Sequence, residues 1–320
     1  MKIIATLNTA KNMESITNTV KNCMNNGIDI FRVNLGKYVD RKDLCDVVEK
    51  VVALQKQFNI CIMLDIPYPY SKSRIFINGK SVLSVKKNEK LKLGNEKNCI
   101  AMLVPDTLYR RSVGDLIYIS DMEFPFIINA IEETYVEVTA LDDAIIHDRK
   151  GVYGEGMLER SDYLLEDLLY AANIINPEYI AFSFLSDVAS ASKFTERYNK
   201  PVEYIAKIET QTAMDNIFNI CKVYNLMVAR GDLMHFASKY LLLENQNQIV
   251  SAAKTEHKKC YVATGIMDNL AKQNELSQAE VCDLSHIFHS SVDGIVLSYG
   301  VVQNNIHRAS IVMRDFIRRG

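Results

Sequence analysis

Residues 204–233 read YIAKIETQTAMDNIFNICKVYNLMVARGDL, from Tyr204 to Leu233. Two apolar runs in it, Tyr204 to Ile208 and Leu226 to Ala229, end in charge, and a helical interval separates them. Such runs read as strands of a parallel sheet buried on both faces. Side chains alternate along a strand, so Lys207 and Glu209 point to the same face. Arg230-Gly231-Asp232 follows the second run directly and puts a carboxylate and a bare glycine backbone at that strand's C-terminal end. Any one of these residues alone would pass for a solvated strand end. Together, a lysine, two carboxylates and a glycine at the mouths of buried strands suit a divalent metal and an anionic substrate.

The same rhythm extends in both directions. Upstream, strands are expected at Ile3 to Leu7, Ile28 to Leu35 and Ile60 to Ile66. Between them lie helices whose buried stripes are Met13, Ile16, Val20, Cys23 and Met24, then Leu44, Val47, Val48, Val51 and Leu54. From about Pro69 to Gly156 the helical period gives way to short alternating runs, separated by turn signals such as Asn78-Gly79 and Val113-Gly114-Asp115. A small all-β module is therefore expected there. The α/β rhythm resumes with Ser161 as N-cap of the helix carrying Leu164, Leu165, Leu168 and Leu169. A strand from Tyr179 to Leu185 and a helix near residues 187–199 precede the opening stretch. After it come a helix ending near Lys259, a strand from Tyr261 to Thr264, and a helix opened by Ser277. There Glu280 completes a capping box, and Leu276 and Val281 form its staple. The strand Gly294 to Ser298 and an amphipathic helix through Ile317 finish the series. Eight βα units argue for an α/β fold, a (β/α)8 barrel, with the β module inserted after its third strand. The expected domains are 1–68 with 157–320 for the barrel and 69–156 for the insertion.

A barrel of this kind places its chemistry at the C-terminal ends of the strands. Arg32, Asn34, Asp65, Ser183, Lys207, Glu209, Asp232 and Thr264 all fall there, in strands that are otherwise apolar. The 320 residues carry a net charge of −2, which offers no attraction for nucleic acid or an anionic membrane. The seven cysteines form no CxxC pair and read as free thiols of a reducing cytosol. The six histidines make no ligand-spaced cluster, and His286 and His289 read as structural. With no secretory signal and no apolar run long enough to span a bilayer, a soluble cytoplasmic protein is expected.

KIIATL, FRVN, IMLD, IAFSF, AKIE, MVARGDL, VAT and the Ala279-Glu280, Asp283 and His286 spacing resemble pyruvate kinase, in order along nearly all of residues 1–318. GVYGEGM, residues 151–157, resembles the segment leading from that family's lid domain back into its barrel. The resemblance implies a mobile lid for the inserted module, and a chain that lacks the family's C-terminal regulatory domain. It implies that Glu209 and Asp232 hold Mg²⁺ or Mn²⁺ and that Lys207 lies against the transferring phosphoryl group. Backbone N–H groups around Gly231 and Asp232 would hold the substrate carboxylate. Thr264 would lie beside the enolate carbon, Arg32 would contact the phosphate, and Ser183 and Asn34 would line the substrate site.

The departures cluster on the other half of the site. Gly36 and Lys37 stand where the family has a serine and a histidine, and Asn34 and Asp65 remain as the remnant of a monovalent-cation site. Residues Ile66 to Lys72 replace a Thr-Lys-Gly-Pro-x-Ile-Arg type segment. Gly265 replaces a glutamine, and Leu276 to Glu280 lack the arginine of PTRAE. The K⁺ site is thus expected to be degraded. Either Lys37 or Lys72 substitutes a fixed ammonium for the ion, or both are solvated surface residues. The expected activity is divalent-metal-dependent phosphoryl transfer from phosphoenolpyruvate to ADP in glycolysis. Two other readings stay open: enolate chemistry on a 2-oxo acid without nucleotide, and a non-catalytic metabolite-binding relative. Small-molecule partners and a homo-oligomer formed through the barrel complete the expectation.

Overall fold

The computed structural model describes residues 1–319 except 39, 78–81, 95, 97, 104–105, 121–123 and 155–157. The chain divides into two compact units, Met1–Pro69 with Asp162–Gly320, and Tyr70–Ser161.

In the first unit eight parallel strands close into a barrel. They are β1 (Lys2–Thr6), β2 (Ile30–Asn34), β3 (Cys61–Lys72), β4 (Tyr179–Ser183), β5 (Glu203–Ile208), β6 (Asn225–Ala229), β7 (Cys260–Ala263) and β8 (Gly294–Leu297). Each pairs with its neighbour in sequence, and β8 returns to β1, Ile3 opposite Ile295.

The period-two alternation of a strand sorts its residues into two cores. Ile4, Ile30, Met63, Tyr179, Ala181, Ile205, Met227, Tyr261, Ala263 and Val296 fill the barrel interior. Their strand neighbours, among them Phe31, Leu64, Phe182, Val228 and Ile295, pack outward against the helices. The helix Met13–Asn25 starts where the Asn12 side chain accepts from the Ser15 N–H, and it buries Ile16, Val20 and Cys23. The helix Arg41–Gln57 is capped in the same way by Asp40 and buries Leu44, Val47, Val48, Val51 and Leu54. The helix Gln278–His289 has the expected capping box between Ser277 and Glu280. Val281, the expected staple residue, is 43% exposed.

Several elements differ from the sequence pattern. β3 continues beyond Ile66, through two prolines, to Lys72, because Tyr70 to Lys72 find antiparallel partners in Leu158–Arg160. The stretch near 187–199 holds only the short helical turns Ala189–Ala191 and Ser192–Thr195. The interval between β5 and β6 is two helices, Gln211–Asp215 and Ile217–Val223, broken at Asn216. The helix Leu165–Ile175 has Leu164 as its N-cap and is preceded by a 3₁₀ turn, Asp162–Leu164, so Ser161 stands directly before the turn rather than before the helix.

The second unit is built on a five-stranded antiparallel sheet, in the order 152–153, 116–119, 124–131, 135–140 and 90–94. Two smaller antiparallel pairs, 82–85 with 144–147 and 74–76 with 101–103, join it. Its own core includes Ile75, Leu93, Ile117, Phe126, Val136 and Ile146. One helical turn, Asp106–Tyr109, is the exception to its all-β character. Gly114, in the expected turn, has φ +92, which glycine adopts without strain. The Asn78-Gly79 turn and Gly156 lie outside the described residues. Among the described residues, no helix is long and apolar enough to cross a membrane.

Phe182 is 0% exposed and sits among Tyr68, Phe194, Tyr204 and Tyr224, with ring centroids 5.5–6.4 Å away. Phe182→Ala is expected to destabilise the protein by about 3–5 kcal/mol, the range for emptying a buried aromatic site. Urea unfolding would read this, and an unchanged midpoint would contradict it.

Candidate active site

Six polar residues at the barrel mouth lie two positions beyond a residue of the inner core. Thr6 follows Ile4, Arg32 follows Ile30, Asp65 follows Met63, Ser183 follows Ala181, Lys207 follows Ile205 and Ser298 follows Val296. One more step of two brings Glu209 into line with Lys207. The strands' own alternation therefore aims this set at one point, above the last apolar layer of the barrel.

Asp65, 1% exposed, is the centre of the set. Its Oδ2 accepts from Arg32 Nε at 2.9 Å and from Arg32 Nη2 at 2.6 Å. Its Oδ1 accepts from Lys207 Nζ at 3.2 Å and from the Ser183 hydroxyl at 3.3 Å. Two donors on each oxygen fill the acceptor positions of a carboxylate. The Lys207 ammonium, 8% exposed, also donates to Ser183 Oγ at 3.1 Å and lies 3.0 Å from Glu209 Oε1. Arg32 Nη1 donates to Thr6 Oγ1 at 3.2 Å.

Glu209 is fully buried, and its Oε2 accepts from the Phe184 N–H at 2.6 Å. Phe184 aims that N–H from a left-handed backbone, φ +53, a conformation rare for a non-glycine residue. Glu209 Oε1 stands outside hydrogen-bonding geometry with Lys207 and makes no hydrogen bond. A buried carboxylate oxygen without a hydrogen-bond donor, in a set with a second carboxylate on Asp232, fits a hard divalent cation. Such an ion would draw its remaining ligands from substrate and water, since the described residues contain no group of three or more metal-ligating side chains. Glu209, Asp232, Lys207, Arg32 and Thr264 line one cavity of about 140 Å³, together with Thr6, Asp268 and Ser298.

The electrostatics follow from this packing. Burial alone would raise the Asp65 carboxyl, but the charges of Lys207 and Arg32 and their hydrogen bonds outweigh it and hold it down to about 2. Burial pushes Glu209 up to about 7; the pull of Lys207 opposes this, and the neighbouring charges of Asp232 and Asp65 add to it. Burial would lower Lys207, yet Asp65 and Glu209 raise it, so the ammonium stays charged at neutral pH.

Other residues fall differently from expectation. Asn34 Oδ1 accepts from the Gly36 N–H at 2.8 Å and so closes its own turn. Lys37 is exposed, whereas Lys72 is buried, with its Nζ donating to Tyr153 Oη at 2.6 Å. The side-chain groups that bond Asp65 come from Arg32, Ser183 and Lys207. Sequence reasoning overlooked Thr6, Ser298 and Asp268, although the step of two from Ile4 and Val296 marks the first two. Ser298 Oγ donates to Asp268 Oδ1 at 3.0 Å.

Asp65→Asn leaves two buried cations without their counter-charge and is expected to cost about 3–5 kcal/mol at neutral pH. The folded-state value of about 2 lies below the ordinary 3.8, so the ionised Asp65 stabilises the fold above about pH 4 and loses that effect as pH falls toward 2. The gap between wild type and variant should therefore narrow over that window in urea unfolding. A gap independent of pH would contradict the assignment.

A family model, Pyruvate kinase, barrel domain, matches residues 1–310. The chain is 26% identical over 305 residues to the pyruvate kinase of Thermoplasma acidophilum, covering 93% of this chain and 54% of that protein. It is 25% identical over 316 residues to the pyruvate kinase of Mycobacterium tuberculosis (strain CDC 1551 / Oshkosh), covering 93% and 65%. It is 25% identical over 298 residues to that of Thermotoga maritima, covering 85% and 61%. The chain thus spans between about half and two thirds of the length of these relatives. With the match running across both units and through every strand of the barrel, the chain belongs to the pyruvate kinase family.

Proposed function

We propose that the protein transfers the phosphoryl group of phosphoenolpyruvate to ADP, giving pyruvate and ATP, with Mg²⁺ or Mn²⁺ held by Glu209 and Asp232. The observation that carries this reading is the Lys207 ammonium, fixed between Asp65 and Glu209 and opening onto a cavity shared with Asp232 and Thr264. A fixed cation of this kind neutralises charge that develops on a phosphoryl group without reorganising during the reaction. The divalent ion would add positive charge between the substrate carboxylate and the phosphoryl oxygens. Arg32 contacts the phosphate from the opposite side of Asp65, and Ser183 fixes the azimuth of the ammonium. The N–H groups at Gly231 and Asp232 bind the substrate carboxylate, and Thr264 stands beside the enolate carbon that must take up a proton. Asn34 closes its own turn and lies outside the cavity lining.

The monovalent cation is dispensable in this reading. Asp65, the surviving acidic residue of that site, already has its oxygens occupied by Arg32, Lys207 and Ser183. These internal cations, rather than Lys37 or Lys72, take the place of the ion. The inserted β unit acts as the lid, and the reaction belongs to glycolysis in the cytoplasm.

One observation favours the second reading, enolate chemistry on a 2-oxo acid without nucleotide. The cavity lining includes two cations, Arg32 and Lys207, and both are engaged with Asp65. Separate titrations with phosphoenolpyruvate and with ADP, each with and without Mg²⁺, distinguish the two, since only phosphoryl transfer requires both to bind.

Turnover of phosphoenolpyruvate and ADP with Mg²⁺ or Mn²⁺ is expected, with little change when K⁺ is replaced by a large organic cation. Lys207→Met should reduce it by about 10³-fold or more, the scale of removing a cation from a phosphoryl-transfer site. Turnover that survives in Lys207→Met, or an absolute need for K⁺, would contradict the proposal.

A further inference from the structure

Thr264 is held in an unfavourable backbone conformation. Its φ is +76, in the left-handed region that β-branched residues avoid, and Gly265 and Met267 follow at +72 and +58. A conformation of that kind persists only where its surroundings enforce it. The enforcing contact is Arg230, the first residue of the helix Arg230–Phe236. Its Nε donates to the Thr264 carbonyl at 2.8 Å, and its Nη1 donates to Asp283 Oδ1 at 2.7 Å. The arginine side chain is 11% exposed, so little water competes with either bond.

Gly231 completes the fit. A Cβ built there would lie 3.0 Å from Thr264 Cγ2, closer than ordinary van der Waals contact, so the threonine methyl seats closely against the glycine backbone. Asp283 in turn sits on the helix Gln278–His289, whose start is fixed by its capping box. The Glu280 carboxylate of that box also accepts from the Asn269 N–H at 2.6 Å, just beyond the strained loop. The loop is therefore gripped at both ends by one helix.

We propose that Arg230, clamped by Asp283, is a positioning residue that holds Thr264 against Gly231 at the cavity wall. Released from Arg230, the peptide after Thr264 is free to rotate, because Gly265 tolerates either side of φ. The threonine side chain then leaves the wall while the metal-binding carboxylates and Lys207 keep their places. The catalytic consequence rests on the phosphoryl-transfer reading above; the conformational claim does not.

The test is a double-mutant cycle with Arg230→Met and Thr264→Ala on turnover of phosphoenolpyruvate, ADP and Mg²⁺. Each single variant should lower kcat by about 10- to 100-fold, the scale of a misplaced catalytic group, and leave KM for phosphoenolpyruvate nearly unchanged. The double variant should be no slower than the slower single. Losses that multiply would mean independent roles and would overturn the proposal. Asp283→Ala should weaken the wild type but have no further effect on Arg230→Met. A methyl NMR spectrum of threonine-labelled apoprotein provides the readout independent of activity. The Thr264 methyl signal should move in Arg230→Met and in Asp283→Ala while far-UV circular dichroism and the thermal midpoint confirm folding. Arg230→Lys, which offers a charge but not two directed donors, serves if the methionine variant does not fold and should move the signal too. An unmoved Thr264 methyl in a folded variant overturns the proposal. A wild type without turnover would defeat the phosphoryl-transfer reading, and the methyl result would still decide this one.

Discussion

The mouth of the barrel depends on one buried carboxylate. Asp65 takes two donors on each oxygen and thereby keeps two cations, Arg32 and Lys207, in a place where unpaired charge would be costly. With Glu209, Asp232 and the cavity-lining Asp268 included, the cluster has two positive and four negative side chains when all are ionised. The surplus negative charge falls on the carboxylates that line the cavity, Glu209, Asp232 and Asp268. Glu209 expresses it directly, since its acidity is weakened by burial and by its acidic neighbours. A divalent cation would neutralise that surplus and so admit a carboxylate- and phosphate-bearing substrate. Metal and anion are therefore each expected to promote binding of the other.

The barrel supplies the geometry through a simple rule. Residues two apart on a strand share a face, and the interior core marks which face is inward. Most of the fold and half of the site were legible in the sequence for this reason. Lys207 and Glu209 are two apart within an apolar run, and Arg32, Asp65 and Ser183 interrupt strands that are otherwise apolar. Such interruptions are conspicuous because a parallel strand buried on both faces has no other place for charge.

What the sequence concealed has physical causes as well. The altered motif positions point to Lys37 or Lys72 as a substitute for the monovalent cation, yet the side chains that bond Asp65 come from β2, β4 and β5, far apart in sequence and joined by barrel closure. Thr6 and Ser298 carry no charge and look like ordinary strand-end residues. The continuation of β3 through Pro67 and Pro69 was hidden because proline usually ends a strand, and its antiparallel partner lies nearly ninety residues later. Thr264 was legible as a residue, but its left-handed backbone was not, since its contacts come from Arg230 and Gly231, at the start of the helix that follows a neighbouring strand.

The central claim is that Glu209 and Asp232 together hold a divalent ion whose binding is coupled to an acidic substrate. The direct measurement is electron paramagnetic resonance of free Mn²⁺ titrated with the protein, with and without phosphoenolpyruvate, for the wild type and Glu209→Gln. The account predicts that the wild type removes Mn²⁺ from solution, more tightly when phosphoenolpyruvate is present, and that the variant loses both effects. Equal Mn²⁺ binding by wild type and variant, or binding indifferent to phosphoenolpyruvate, would contradict it.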